Sequence, residues 1–167
     1  LCRQSDLNQF IRNIRIISNP TRTMKKYIVI ISQTFPLTHP RGGEPTNFKE
    51  SIEEHSKIHT LRWNFEYWEK RFKSIEAGEA ELIIKAWTGK PYNSKQIELF
   101  RFSKTDGIGI QKFEWTSEGI YIDGKPTKLQ IKQIANGDGL SKQDFVDWFA
   151  DYPNEPLAVI HFTAFRY

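Results

Sequence analysis

The sequence predicts an α+β fold, a small mixed β-barrel of about six short strands flanked by two or three helices. Three observations predict it. The apolar period is helical over 64–78 and then changes to the alternation of β-strands. The longest clean apolar run, Tyr27-Ile28-Val29-Ile30-Ile31, has the length of a buried strand, and no run approaches the roughly 18 residues of a membrane span. Asp123-Gly124 marks a tight hairpin between short strands. A chain of 167 residues is long enough to bury one core. Closing the strands into a barrel is the economical way to remove sheet edges.

Residues 1–23 read as an extension ahead of a domain spanning 24–167, because Met24-Lys25-Lys26 stands immediately before the first strand. A helix is the alternative there, since Leu7, Phe10, Ile11 and Ile14 fall at helical spacing. A strand is expected over 26–32. A loop over 33–47 follows, with Pro36, Pro40, Pro45 and the pair Gly42-Gly43; a loop of that length in a compact domain is mobile or functional. "FKESIEEHS" reads as a short helix with Asn47 as N-cap, and "KIHTLRW" as an alternating strand. In that strand Ile58, Thr60 and Arg62 share one face, and His59, Leu61 and Trp63 the other. "NFEYWEKRFKSIEAG" reads as a helix capped by Asn64, striped by Phe65, Trp68, Phe72 and Ile75, and stopped at Gly78. Four β segments come next: "EAELIIKAW", "KQIELFRFSK", "IGIQKFEW" and "EGIYIDGKPTKL". "SKQDFVDWFADY" is a helix capped by Ser141 with Phe145, Trp148 and Phe149 on its apolar face, and "PLAVIHFTAF" is a last strand.

Cys2 is the single cysteine, which excludes an internal disulfide and a multi-thiolate metal site. Residues 1–23 carry scattered arginines and no continuous apolar stretch of signal-peptide type, so a cytoplasmic location is expected. The net charge of +4 suggests nucleic acid, but its distribution weakens the suggestion. Residues 1–23 hold four arginines and one aspartate, leaving 20 bases against 19 acids in the rest. A phosphate-tracking surface needs clustered bases, which net charge alone does not show.

"KIHTLR" puts an amine, a hydroxyl and a guanidinium at Lys57, Thr60 and Arg62. Together with the helix ending "IEAGEA", with "WTGKPYNSKQ" and with the later "IANGDGLS", it resembles the ASCH-domain family, a branch of the PUA-like β-barrels. The resemblance covers 26–167. It implies a PUA-like barrel with a cleft beside the K-x-x-T strand and a role in recognising RNA or a nucleotide-like ligand. One ASCH branch removes acetyl from N4-acetylcytidine with a lysine, a threonine and a carboxylate, which implies a second reading as a small amidohydrolase. By that resemblance the catalytic positions fall on Lys57, Thr60 and Asp138, with Arg62 beside them. This chain departs from the branch in having Asp138 where it has a glutamate, and in the loop over 33–47. A non-catalytic protein-interaction module is a third reading.

Hydrolysing an amide needs a nucleophile, a group to take its proton and donors for the oxyanion. Thr60 is the nucleophile on that reading, activated by a Lys57 made neutral through burial or the nearby Arg62 cation. Asp138 orients Lys57 or passes a proton to the leaving amine. Strand alternation sets Lys57 on the face opposite Thr60, so a kink near Lys57 is required for the two to meet. The plainer alternative is a solvated Lys57 and Arg62, a strand-forming Thr60 and a turn at Asp138. In "WTGKPYNSK", Trp87 and Tyr92 offer flat faces for a base, and Lys90 and Lys95 offer charge for phosphate. The alternative there is a turn with Trp87 plugging the core. Arg41, in the 33–47 loop, can reach an anion if that loop is a lid. His55 and His59 have zinc-compatible spacing, but no third ligand accompanies them and no metal or cofactor is expected.

Overall fold

The computed structural model describes residues 23–149 and 155–167. The extension expected over 1–23 therefore lies outside the described residues except for Thr23. The described residues form a mixed α+β arrangement of eight strands in two sheets, with four helices.

The first sheet has β1 (Lys25–Ile30), β3 (Ala80–Trp87) and β4 (Gln96–Phe102) in the order β1-β3-β4. β3 is central, pairing with β1 in parallel and with β4 antiparallel, and the β3–β4 ladder has a register shift between Ile84 and Lys85. The second is antiparallel and runs β2-β8-β5-β6-β7. Its strands are β2 (His59–Arg62), β5 (Gly109–Thr116), β6 (Gly119–Ile122), β7 (Lys125–Pro126) and β8 (Leu157–His161). No backbone ladder joins the two sheets among the described residues, so the strands do not close into a hydrogen-bonded barrel. The expected count of about six strands is also corrected. "EGIYIDGKPTKL" divides into β6 and β7 because Asp123 and Gly124 both take positive φ and turn the chain.

β8 is buried along its whole length, and so are Leu82, Ile83 and Ile84 of β3. Both strands are apolar runs rather than alternations, as strands covered on two faces must be. The same cause corrects the alternation expected of β2, where His59, Thr60 and Leu61 are all buried. The four helices are α1 (Phe48–Glu53), α2 (Phe65–Glu76), α3 (Ile131–Gly137) and α4 (Lys142–Trp148). α2 buries Trp68, Phe72 and Ile75 of the predicted stripe and leaves Phe65 half-buried, and Asn64 accepts a hydrogen bond from the Tyr67 amide. Asn47 stands at the N-cap of α1 in a left-handed conformation, but its side chain caps nothing. α3 is an addition to the predicted set. Two turns hold too few apolar positions to show a period, yet the Gln133 side chain accepts from the Gln130 amide at 2.8 Å and Ile131, Ile134 and Ala135 are buried. No helix among the described residues is long and apolar enough to cross a membrane.

Candidate functional site

β2 begins at His59, so Lys57 and Ile58 lie ahead of the pleat. The Lys57 amide donates to the Ser51 carbonyl and the Ile58 amide to the Gly137 carbonyl, tying this turn to the ends of α1 and α3. Lys57 is thereby released from strand alternation. This is the kink that the lysine needed, and it turns the side chain inward until only 1% of its surface is exposed.

The ammonium meets Asp138, the C-cap of α3, donating to both its side-chain Oδ1 and its main-chain carbonyl. It also lies 4.1 Å from the centroid of the Phe48 ring. The Thr60 hydroxyl lies close enough to the Asp138 carboxylate to favour its ionised form. Arg62 is half-buried and anchored, its Nη1 donating to the Leu61 carbonyl at 2.8 Å and its Nη2 to the Ile30 carbonyl at 2.6 Å. Lys57, Thr60, Arg62 and Asp138 thus converge from two segments about eighty positions apart.

Burial, the largest influence, pushes the Lys57 amine down and the Asp138 carboxyl up. Each partner's charge pulls the other back toward its ordinary value, while Arg62 favours neutral Lys57 and ionised Asp138. Taking two ions out of water costs several kcal/mol each before their attraction offsets it. Desolvated pairs of this kind beside a cavity occur at proton-transfer sites and also in structural ion-pair networks. That cavity is a pit of about 90 Å³ bordered by Thr60, Arg62 and Asp138 on its polar side and by Phe48, Trp148 and Phe149 on its apolar side. These aromatic walls were not foreseen as site residues, because aromatic residues at helical spacing look like core.

Two glycines let α3 end where it does. A Cβ on Gly137 would sit 2.4 Å from His59 Nε2 and 2.7 Å from the Tyr167 hydroxyl; Gly139 has φ +73° and packs against the Lys57 stem. That closeness brings Asp138, shorter than a glutamate, within reach of Lys57. Gly137→Ala is accordingly expected to destabilise the protein by about 1–3 kcal/mol through overpacking, read as a lower urea midpoint. An unchanged midpoint would mean that α3 can move away from β2 freely.

Behind the pair lies a buried polar layer that sequence reading also missed. His59 and His161 face each other across the β2–β8 ladder, with ring centroids 5.6 Å apart. His59 Nε2 bonds the Tyr167 hydroxyl at 2.7 Å and His161 Nε2 bonds Gln111 Oε1 at 3.0 Å. Both Nδ1 atoms are buried without a hydrogen-bond partner among the described residues. Burial first, then the Lys57 charge, holds His59 well below the ordinary histidine value. Burial and Arg166 lower His161 to about 3, and burial together with Asp138 raises Tyr167 to about 12. His55 is exposed in the turn after α1 and does not share a helix with His59. No group of three or more metal-ligating side chains is gathered among the described residues.

The other candidates lie outside the pit. Trp87 ends β3 half-buried, and the following turn is tied by Thr88 to the Lys95 carbonyl and by the Ser94 hydroxyl to the Gly89 amide and the Lys90 carbonyl. The positive φ falls on Tyr92, at 64°, not on Gly89. Tyr92 is 89% exposed with its ring 5.3 Å from that of Trp87, and Lys90 and Lys95 are exposed beside it. Arg41 pairs with Glu44 at 2.7 Å and Asp144 at 2.9 Å and lies over the Phe35 ring, so its charge pins the 33–47 loop to α4. Among family models, curated proteins and solved structures, none matches this chain.

Proposed function

We propose that the pit takes the small acyl group of a nucleoside- or RNA-like ligand and hydrolyses its amide. On this reading the two sheets are halves of an ASCH-like, PUA-related barrel. The observation that carries it is a buried hydroxyl and a buried carboxylate bordering a pit of about 90 Å³, with the buried Lys57 amine bonded to that carboxylate. That volume equals roughly three water molecules in the liquid. It suits an acetyl or carboxamide group and is small for a base with its sugar.

The chemistry follows from the contacts. Thr60 Oγ1 attacks the carbonyl carbon, and its proton passes to the neighbouring Asp138 carboxylate. Lys57 and Arg62 supply positive charge next to the negative charge that develops on the carbonyl oxygen. The C–N bond then breaks as the leaving nitrogen takes a proton back from the Lys57–Asp138 pair, which leaves an ester on Thr60. Water adds to that ester, the pair relays its proton, and the acid departs as Thr60 regains its hydroxyl. Because burial moves the two pKa values toward each other, the pair can give and take a proton at less cost than a solvated lysine and aspartate.

The test is hydrolysis of N4-acetylcytidine. Thr60→Ala is expected to reduce turnover by about 10³-fold or more, with thermal stability near that of the wild type. Equal turnover by Thr60→Ala would refute the nucleophile. Tyr92, an almost wholly exposed aromatic beside Trp87, favours a second reading: recognition of RNA without chemistry. Salt-dependent binding of short RNA by a wild-type protein that turns nothing over would select it.

A further inference from the structure

The pit is one of three cavities that meet at Ile31 and Ser32, the residues that follow β1. A second cavity of about 370 Å³ runs from this sill along Trp87, Gly89 and Lys90. The third, of about 310 Å³, runs along Asn47 and Lys49 toward Ile97 and Leu99. A ligand whose small group fills the pit must lay its larger part in one of these arms.

The arms differ in charge. In the third, Lys49 is paired with Glu53 at 3.4 Å, the Glu50 carboxylate adds negative charge, and Ile97 and Leu99 are apolar. An anion is unwelcome there. In the second, the Trp87 ring forms a flat wall and the Lys90 ammonium has no hydrogen-bond or ion-pair partner among the described residues. The turn that carries Lys90 is held by its own hydrogen bonds, and it keeps Tyr92 in a left-handed conformation that non-glycine residues adopt at a cost. An ordered turn that displays an aromatic pair and an unpaired cation beside a cavity is suited to stacking a flat group and holding an anion next to it.

Building on the reading of the pit given above, we infer that the Trp87–Lys90 arm is a phosphate-binding subsite, so that the ligand is a nucleotide and not a free nucleoside. Lys90 holds the phosphate, Trp87 and Tyr92 flank the sugar and base, and the acyl group enters the pit past Ser32.

Binding and turnover test the two claims separately. Binding is measured in the Thr60→Ala chain with N4-acetylcytidine and with its 5′-monophosphate as probes, so that neither is consumed. The monophosphate is expected to bind about fivefold more tightly at low salt, and the preference is expected to shrink as salt rises. It is expected to vanish in Thr60→Ala/Lys90→Ala and to persist in Thr60→Ala/Lys125→Ala, which removes an exposed lysine of β7 far along the other sheet. Equal affinity for the two probes, a preference untouched by Lys90→Ala, or no binding of either probe would overturn the subsite. Wild-type turnover of N4-acetylcytidine without any preference for the monophosphate would also overturn the subsite and leave the proposed reaction standing. Phosphate-dependent binding without turnover would overturn the reaction and leave the subsite.

Discussion

Asp138→Ala is expected to cost about 3–5 kcal/mol of stability, measured by urea unfolding at pH 7. The substitution leaves the Lys57 ammonium with 1% of its surface exposed, against the Phe48 ring and without its carboxylate. The one relief open to the folded state is to release the proton. Burial already lowers the Lys57 pKa, and losing the carboxylate removes the influence that raised it. A group whose folded pKa lies below its unfolded one destabilises most at low pH, and the penalty disappears as pH rises toward the unfolded value. The deficit of Asp138→Ala should therefore shrink between pH 7 and 9.5.

Replacing both partners, as in Lys57→Met with Asp138→Leu, is expected to return stability to near the wild-type level, because two desolvated charges then give way to apolar packing. The double variant should nevertheless lose ligand turnover entirely. That contrast distinguishes a pair kept for chemistry from one kept for the fold. An Asp138→Ala protein as stable as wild type and fully active would remove the pair from the site altogether.

Acid is expected to weaken the protein well above the carboxylate range. His161 has a folded pKa of about 3 against an ordinary value of 6.5. Below pH 6.5 the unfolded chain therefore takes a proton that the folded chain refuses. Stability is complete above that pH and falls by 1.36 kcal/mol per unit until about pH 3. Between pH 7 and pH 5 the loss from His161 amounts to about 2 kcal/mol. His59, also held well below its ordinary value, adds a loss of the same sign. Asp138 works in the opposite direction, since burial raises its pKa and the folded state gains a proton first.

Against a total stability of about 5–15 kcal/mol this is a large change, visible in the urea midpoint at the two pH values. His161→Asn should lower stability at pH 7 through loss of packing and of the Gln111 bond, yet flatten its dependence on pH by one proton. A wild-type midpoint unchanged from pH 7 to pH 5 would show that the histidine layer is hydrated and titrates normally.

Local pattern carried much of the fold. The α2 stripe, the caps at Asn64 and Ser141 and the Asp123-Gly124 turn all act within a few residues, and each stands where the sequence places it. The identity of the site residues was legible only through the resemblance, since lysine, threonine, arginine and aspartate are commonplace singly. Their meeting was not legible. Alternation along "KIHTLR" opposes Lys57 to Thr60, and only the hydrogen bonds of the 57–58 turn to Ser51 and Gly137 start β2 at His59 and free the lysine. Arg41 shows the reverse case: a loop arginine beside two glycines suggests an anion clamp, but Glu44 and Asp144 neutralise it.

The amino-acid sequence by itself determined the elements whose stabilising contacts are near in the chain: the α2 stripe, the caps at Asn64 and Ser141, the Asp123-Gly124 turn and the buried strands. The tertiary structure decided the division into two sheets, the depth of Lys57 and Asp138, and the face-to-face histidines of β2 and β8. Those features depend on which distant segments share a core, and burial, not residue type, moves their pKa values.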